Sequence, residues 1–149
     1  MNNSIESILR GGQFKKLIEI SILKIRNKTN LKRVELEIIY FLGCTGEENT
    51  MKDICNHLQM NKGHISTALD SLNKQGYVIQ QQDPNDRRYT HYTLTDKADD
   101  IVKQMKDAWE MITKRLMDGL TKNEIEVFEA VSAKLGKNIE QILEEEKKN

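Results

Sequence analysis

The chain has 149 residues, with 23 basic and 23 acidic side chains and three histidines, so its formal net charge at pH 7 is zero. That length supports one domain with a real core and is short for two. Charged residues make up 31% and aromatics 5%, which suits a helical protein with solvated surfaces and excludes a globally basic nucleic-acid binder, leaving only local basic patches. Residues 1–49 carry a balance of +2, residues 50–94 of +1 and residues 95–149 of −3. Two cysteines, Cys44 and Cys55, make no disulfide framework. The N-terminus lacks a charged region followed by an apolar run, so no signal peptide is expected. No apolar run approaches a membrane span. A reducing, cytoplasmic setting is expected, with no membrane association.

Ser4 is placed to cap a short segment carrying Ile5, Ile8 and Leu9. Gly11-Gly12 should break it, since glycine in a helix interior costs roughly 1 kcal/mol relative to alanine. A helix resumes at Phe14, with Leu17, Ile18, Ile22 and Ile25 on one side. Asn27 to Asn30 reads as a polar junction. Leu31 to Leu42 reads as a second helix, buried through Val34, Ile38, Phe41 and Leu42, and Gly43 to Asn49 as a loop.

Thr50 and Asp53 form a capping box that starts a third helix, buried through Ile54 and Leu58. Asn61 is a good N-cap for a fourth. There Ile65, Ala68, Leu69 and Leu72 follow the spacing of one buried face. Gly63, Ser66, Thr67, Asp70 and Lys74 fall on the other face, with His64 at its flank. These are small or polar side chains, and a bulky or acidic face could not enter a major groove. Gly76 is placed to end the helix left-handed. Tyr77-Val78-Ile79 and Tyr89 to Leu94 read as paired strands. Asp83-Pro84-Asn85-Asp86 suits a type I turn between them, with the chain's one proline at its second position. Arg87 and Arg88 follow at the tip. Two short helices and then a basic hairpin make the layout of a winged helix-turn-helix.

Thr95 is placed to cap a long helix with Ala98, Ile101, Val102, Met105, Trp109, Ile112, Leu116 and Leu120 at three- and four-residue spacing. Thr121 and Glu124 form a second capping box. The helix it starts carries Ile125, Phe128, Val131, Leu135, Ile139 and Ile142. Such long amphipathic helices imply burial against another copy. The tail from Glu144 reads as charged and frayed.

The stretch from Thr50 to Thr95 resembles the MarR family of transcriptional regulators. The resemblance rests on the buried pattern ending in Leu72 and Gly76, on Asp83-Pro84-Asn85-Asp86-Arg87-Arg88, where the family carries an Asp-x-Arg wing signature, and on Leu94-Thr95. The chain departs from the family at Gln80, where an arginine able to pair with the wing aspartate is common, and at Ala98, where a glycine is common. The expected fold is mainly α with a small β-hairpin wing. Residues 31–94 would form the winged helix-turn-helix DNA-binding region of a single 1–149 chain, with residues 4–26 and 95–146 as dimerisation helices.

The resemblance implies a homodimeric, sequence-specific regulator of double-stranded DNA, a repressor released by a small ligand, acting on a pseudo-palindromic operator. Its DNA contacts would come from Lys62, Gly63, His64, Ser66, Thr67, Lys74, Asp86, Arg87 and Arg88. It also implies a pocket for a small aromatic or amphipathic effector, lined by Phe14, Tyr40, Met105 and Trp109. A methionine and aromatic stripe at helical spacing also reads as plain core. Two alternatives stay open. One is a winged-helix protein-interaction module without DNA binding; the other is a cysteine-based redox-sensing regulator. Cys55 reads as a small core residue and Cys44 as a loop thiol, neither in an evident activating environment. His57, His64 and His91 lack metal-ligand spacing, so neither metal nor cofactor is expected. No nucleophile–base pair or carboxylate constellation supports an enzyme.

Overall fold

The computed structural model describes residues 11–146. The segment from Ser4 to Leu9 lies outside them. The chain divides into two compact units, residues 1–110 and 111–149. The first holds α1 (Gly12–Thr29), α2 (Arg33–Cys44), α3 (Met51–Leu58), α4 (Lys62–Lys74), β1 (Val78–Gln82) and β2 (Thr90–Leu94). A 3-10 turn at Asp96–Ala98 leads into α5 (Asp99–Leu116), which runs past the boundary, and α6 (Lys122–Glu146) lies in the second unit.

Local sequence chemistry sets most of these ends. Gly11 precedes α1 with φ of 62°, a left-handed conformation that glycine adopts without steric cost, and the helix starts at Gly12, two residues before the expected Phe14. The α1 helix outlasts the expected junction at Asn27. It stops at Thr29, and Asn30 takes a left-handed φ of 58° while its N–H closes on the Arg26 carbonyl. The α2 helix starts two residues later and ends two residues later than its pattern suggests. Its entry is secured by Glu35, whose carboxylate accepts from the Lys32 backbone N–H at 2.6 Å. Glu35 is therefore buried, the one charged residue in a core otherwise apolar among the described residues.

The core of the first unit gathers around α2. Leu36, Ile38, Ile39, Phe41 and Leu42 are all buried there, so this helix is covered on more than one side. Ile22 and Ile25 of α1, Ile54 of α3, Ile65, Leu69 and Leu72 of α4, Val78 of β1, and Ile101 and Met105 of α5 close around it. Each large side chain so buried contributes about 1.5–3 kcal/mol relative to exposure. Where α2 ends, Gly43 lets α5 come close: a Cβ there would lie 2.7 Å from both γ-methyls of Val102.

The hairpin is antiparallel, pairing Val78 with Leu94 through Gln82 with Thr90. Each strand begins one residue later than its side-chain pattern suggests, because Tyr77 and Tyr89 serve the flanking turns. The Tyr77 N–H donates to the Leu72 carbonyl at 2.9 Å, and the Tyr89 N–H to the Asp86 carbonyl at 3.0 Å. The Thr95 hydroxyl does not cap the following helix. It donates to the Gly76 carbonyl at 2.6 Å, tying the exit of the hairpin to the end of α4. Lys97 strengthens the same junction, reaching the Gln75 carbonyl at 2.7 Å and lying 4.4 Å over the Tyr77 ring. Cations near the C-terminus of a helix are favoured by its dipole.

In the second unit, the Thr121–Glu124 box forms as expected: the carboxylate accepts from the Thr121 N–H at 2.7 Å, and the hydroxyl accepts from the Glu124 N–H at 3.3 Å. Leu120 lies outside the helix before it, which ends at Leu116. No described residue from 111 onward is buried. Phe128, Val131, Leu135, Ile139 and Ile142 lie along α6 half-exposed or more. Among the described residues, no helix is long and apolar enough to cross a membrane.

Candidate nucleic-acid interface

The α4 helix opens on Asn61, whose side-chain oxygen accepts from the His64 N–H at 3.0 Å. Its first turn holds no acidic residue. The remaining N–H groups and the positive end of the helix dipole therefore meet no carboxylate of their own turn. Ile65, Ala68, Leu69 and Leu72 are buried as the spacing requires. Lys62, Gly63, His64, Thr67, Asp70 and Lys74 are exposed, and Ser66 is half-buried. The Thr67 hydroxyl donates to the Gly63 carbonyl at 3.0 Å. That bond uses the hydroxyl proton and leaves its oxygen able to accept. A Cβ on Gly63 would make only an ordinary contact with Asn61, at 3.4 Å, so the helix itself does not require glycine here.

The wing is held by its own side chains. Asp83 accepts from the backbone N–H groups of Asn85 at 2.7 Å and Asp86 at 2.8 Å, which folds the turn. Its other oxygen lies 2.9 Å from the His91 ring. These bonds, the His91 contact foremost, hold the Asp83 carboxyl below the usual carboxylate range. Asp86 grips Arg88 with both oxygens, the shortest contact being 2.7 Å to Nη2. That pairing lowers the Asp86 carboxyl and raises the Arg88 guanidinium. Arg88 nevertheless stays outward, its side chain 85% exposed. Arg87 is exposed, and its carbonyl accepts from the Gln82 side chain at 2.9 Å. The signature aspartate Asp86, which Gln80 cannot serve, is thus served by Arg88, and Asp83 by His91.

Wing and helices meet at a cleft of about 250 Å³, lined by Thr50, Met51, Lys52, Cys55, Lys62, Arg88, Tyr89 and Thr90. The structure thereby brings Lys62 and Arg88, 26 positions apart in sequence, onto one concave surface. It adds Lys52, Tyr89 and Thr90, which no sequence signal marked: a lysine at the start of an amphipathic helix reads as a solvated charge until the hairpin is seen beside it. Lys74 lines a separate surface hollow with Thr67, Asp70, Ser71 and Gln75.

The residues singled out for an effector separate. Met105 is 1% exposed within the core, whereas Phe14 is 46% exposed. Tyr40 and Trp109 do meet, their rings stacked with centroids 6.3 Å apart. The Trp109 Nε1–H is buried with no hydrogen-bond partner among the described residues. Burial, then the neighbouring Cys44, raises the Tyr40 hydroxyl above its usual range. Cys44 is the last residue of α2 rather than part of the loop, and it is exposed. Cys55 is half-buried against the core and reaches the cleft. His57 stacks on Phe41 at 4.4 Å. Among the described residues, no group of three or more His, Cys, Asp or Glu side chains is placed to hold a metal.

Residues 31–98 match the family model described as a winged helix DNA-binding domain. The HTH-type transcriptional regulator YwhA of Bacillus subtilis strain 168 is 30% identical over 121 residues, which cover 81% of this chain and 83% of that protein. A MarR family regulator from Listeria monocytogenes, solved with a 26mer DNA, superposes with a TM-score of 0.80 at 20% identity, covering 93% of this chain and 90% of that one. FabT of Streptococcus pneumoniae, solved in complex with DNA, gives a TM-score of 0.75 at 20% identity, covering 95% and 99%. The related regulator, the winged segment and the shared fold lead to one assignment: the chain belongs to the MarR family of winged helix-turn-helix transcriptional regulators.

Proposed function

We propose that this protein is a dimeric, sequence-specific DNA-binding repressor whose grip on its operator is released by a small ligand. The observation that carries the DNA reading is the shared cleft, where Lys62 at the start of α4 and Arg88 of the wing stand together beside Lys52. One groove-facing helix end and one basic hairpin are thereby presented as a unit. In this reading α4 enters the major groove through Gly63, His64, Ser66 and Thr67, and Lys62 and Lys74 take flanking phosphates. Arg88 reaches into the adjoining minor groove, whose negative potential is strongest over narrow A·T tracts. Asp86 sets the direction of that guanidinium, and Arg87 adds charge at the tip. The relatives solved with DNA support this use of the fold.

Two copies would place two α4 helices in successive major grooves, with half-sites about 10 base pairs apart. The uncovered stripe of α6 supports pairing. The orphaned Trp109 N–H beside Tyr40 supports a binding position for a small aromatic ligand that offers an acceptor oxygen. Such a ligand would act by altering the spacing of the two recognition helices.

Gel shifts with a duplex pool, followed by selection of bound fragments from random DNA, test this reading. A salt-sensitive shift and an enriched half-site motif are expected. Arg88→Ala should weaken binding by about 1–3 kcal/mol and flatten the A·T preference at flanking positions. Absence of any shift at low salt would leave a protein-interaction module as the reading.

A further inference from the structure

We propose that His91 is the positioning residue that locks the wing to the start of α3, and so sets where Arg88 enters the DNA; this rests on the DNA reading above. The ring spans two segments. Its Nδ1 lies 2.5 Å from Asn49 Oδ1 in the loop before α3, and its Nε2 lies 2.9 Å from Asp83 Oδ2 in the wing turn. The backbone makes the same crossing. His91 forms an isolated antiparallel bridge with Thr50, and the Tyr92 N–H donates to the Asn49 carbonyl at 2.9 Å.

The linkage continues outward to the tip. The other oxygen of Asp83 accepts from the Asp86 N–H at 2.8 Å, and Asp86 grips Arg88. A continuous series of hydrogen bonds therefore runs from the loop before α3 to the guanidinium of Arg88, a residue that lines the cleft. Along β1 the hairpin offers Gln80, Gln81 and Gln82, all neutral, so β1 supplies no cation to Asp83. His91, on β2, supplies the hydrogen-bond partner of Asp83 instead.

The ring faces a carboxylate oxygen at Nε2 and a side-chain amide at Nδ1. An amide can present either its oxygen or its NH2, so the ring bridges both groups through hydrogen bonds at its two nitrogens. Among the charged groups around the ring, Asp83 faces it from the wing turn. On α3, Asp53 is engaged by Thr50, through its N–H at 2.9 Å and its hydroxyl at 2.5 Å. The register partner of His91 on β1 is the neutral Gln81.

Nitrogen-15 resonance of the His91 ring in the free protein tests the clasp without DNA. Both ring nitrogens should resonate away from their solvent-exposed positions, with Nδ1 returning in Asn49→Ala and Nε2 in Asp83→Ala; ring resonances unmoved by either substitution would overturn the clasp. Binding tests its purpose, using a duplex selected from a random pool and the same duplex trimmed of its A·T flanks. His91→Gln should lose about tenfold in affinity on the long duplex and less than about twofold on the trimmed one. Equal loss on both duplexes would mark His91 as a purely structural residue and overturn the proposal, as would no loss at all. Wild-type protein with no affinity for either duplex would overturn the DNA reading, while the ring measurement still decides whether the clasp exists.

Discussion

Thr67 and Lys62 are both exposed on α4, yet their chemistry assigns them different tasks. Thr67 donates its hydroxyl proton to the Gly63 carbonyl, and its methyl group is suited to a thymine methyl. Lys62 ends in a flexible cation beside Arg88 and suits a phosphate. Thr67→Ala should therefore change the base preferred at one position per half-site and leave the salt slope nearly unchanged. Lys62→Ala should weaken all sequences about equally and lower the salt slope by roughly one unit for each phosphate it no longer neutralises. One selection and one salt titration on each variant check both. A uniform loss for Thr67→Ala, with no altered base preference, would move sequence reading to His64, the wing or DNA shape. Much of this residue-level pattern was legible in the sequence, because helical spacing alone separates Ile65, Ala68, Leu69 and Leu72 from the opposite face. The roles of Lys52 and His91 were not legible. They depend on the hairpin meeting α3, at separations that no local period encodes.

Among the elements, the α2–α5 packing and the wing make contrasting predictions. Gly43 is where α2 accepts α5, and a methyl there would collide with Val102 at 2.7 Å. Gly43→Ala should destabilise the protein by about 1–3 kcal/mol, the usual cost of overpacking. Val102→Ala added to it should recover part of that loss, read by denaturant unfolding of both variants. If the single variant unfolds at the wild-type midpoint, the contact is softer than its geometry implies. The wing responds to pH instead. Asp83 and Asp86 both titrate below the ordinary aspartate value of about 3.9. A depressed carboxyl contributes stability that is complete above its unfolded value and is lost as pH falls through the folded one. The hairpin should thus stay ordered down to about pH 4 and loosen below it, seen as selective loss of amide protection at Asn85, Asp86 and Arg88. Loosening already at about pH 5 would contradict that order. The turn itself was legible from Asp83-Pro84-Asn85-Asp86. The cap expected at Thr95 shows the limit of such signals, since a hydroxyl before a helix is drawn instead to the Gly76 carbonyl across the hairpin.

At the scale of the whole molecule, α6 is the unfinished part. Phe128 is 54% exposed, Val131 48%, Leu135 52% and Ile139 53%, all on one stripe of a 25-residue helix. An apolar stripe of that length left in water favours association, and the proposed partner is a second copy of the chain. The stripe itself was legible in the three- and four-residue spacing. The geometry of pairing was not, because a stripe specifies what must be covered and not by which face. The central claim is that two α4 helices, held at a fixed distance, read successive turns of one face of the duplex. Hydroxyl-radical footprinting on a selected operator, with the mass of the complex measured by sedimentation, tests it most directly. The account predicts two protein chains of 17.3 kDa per duplex and protected patches about 10 base pairs apart on one face. One chain per duplex with a single protected patch would contradict it.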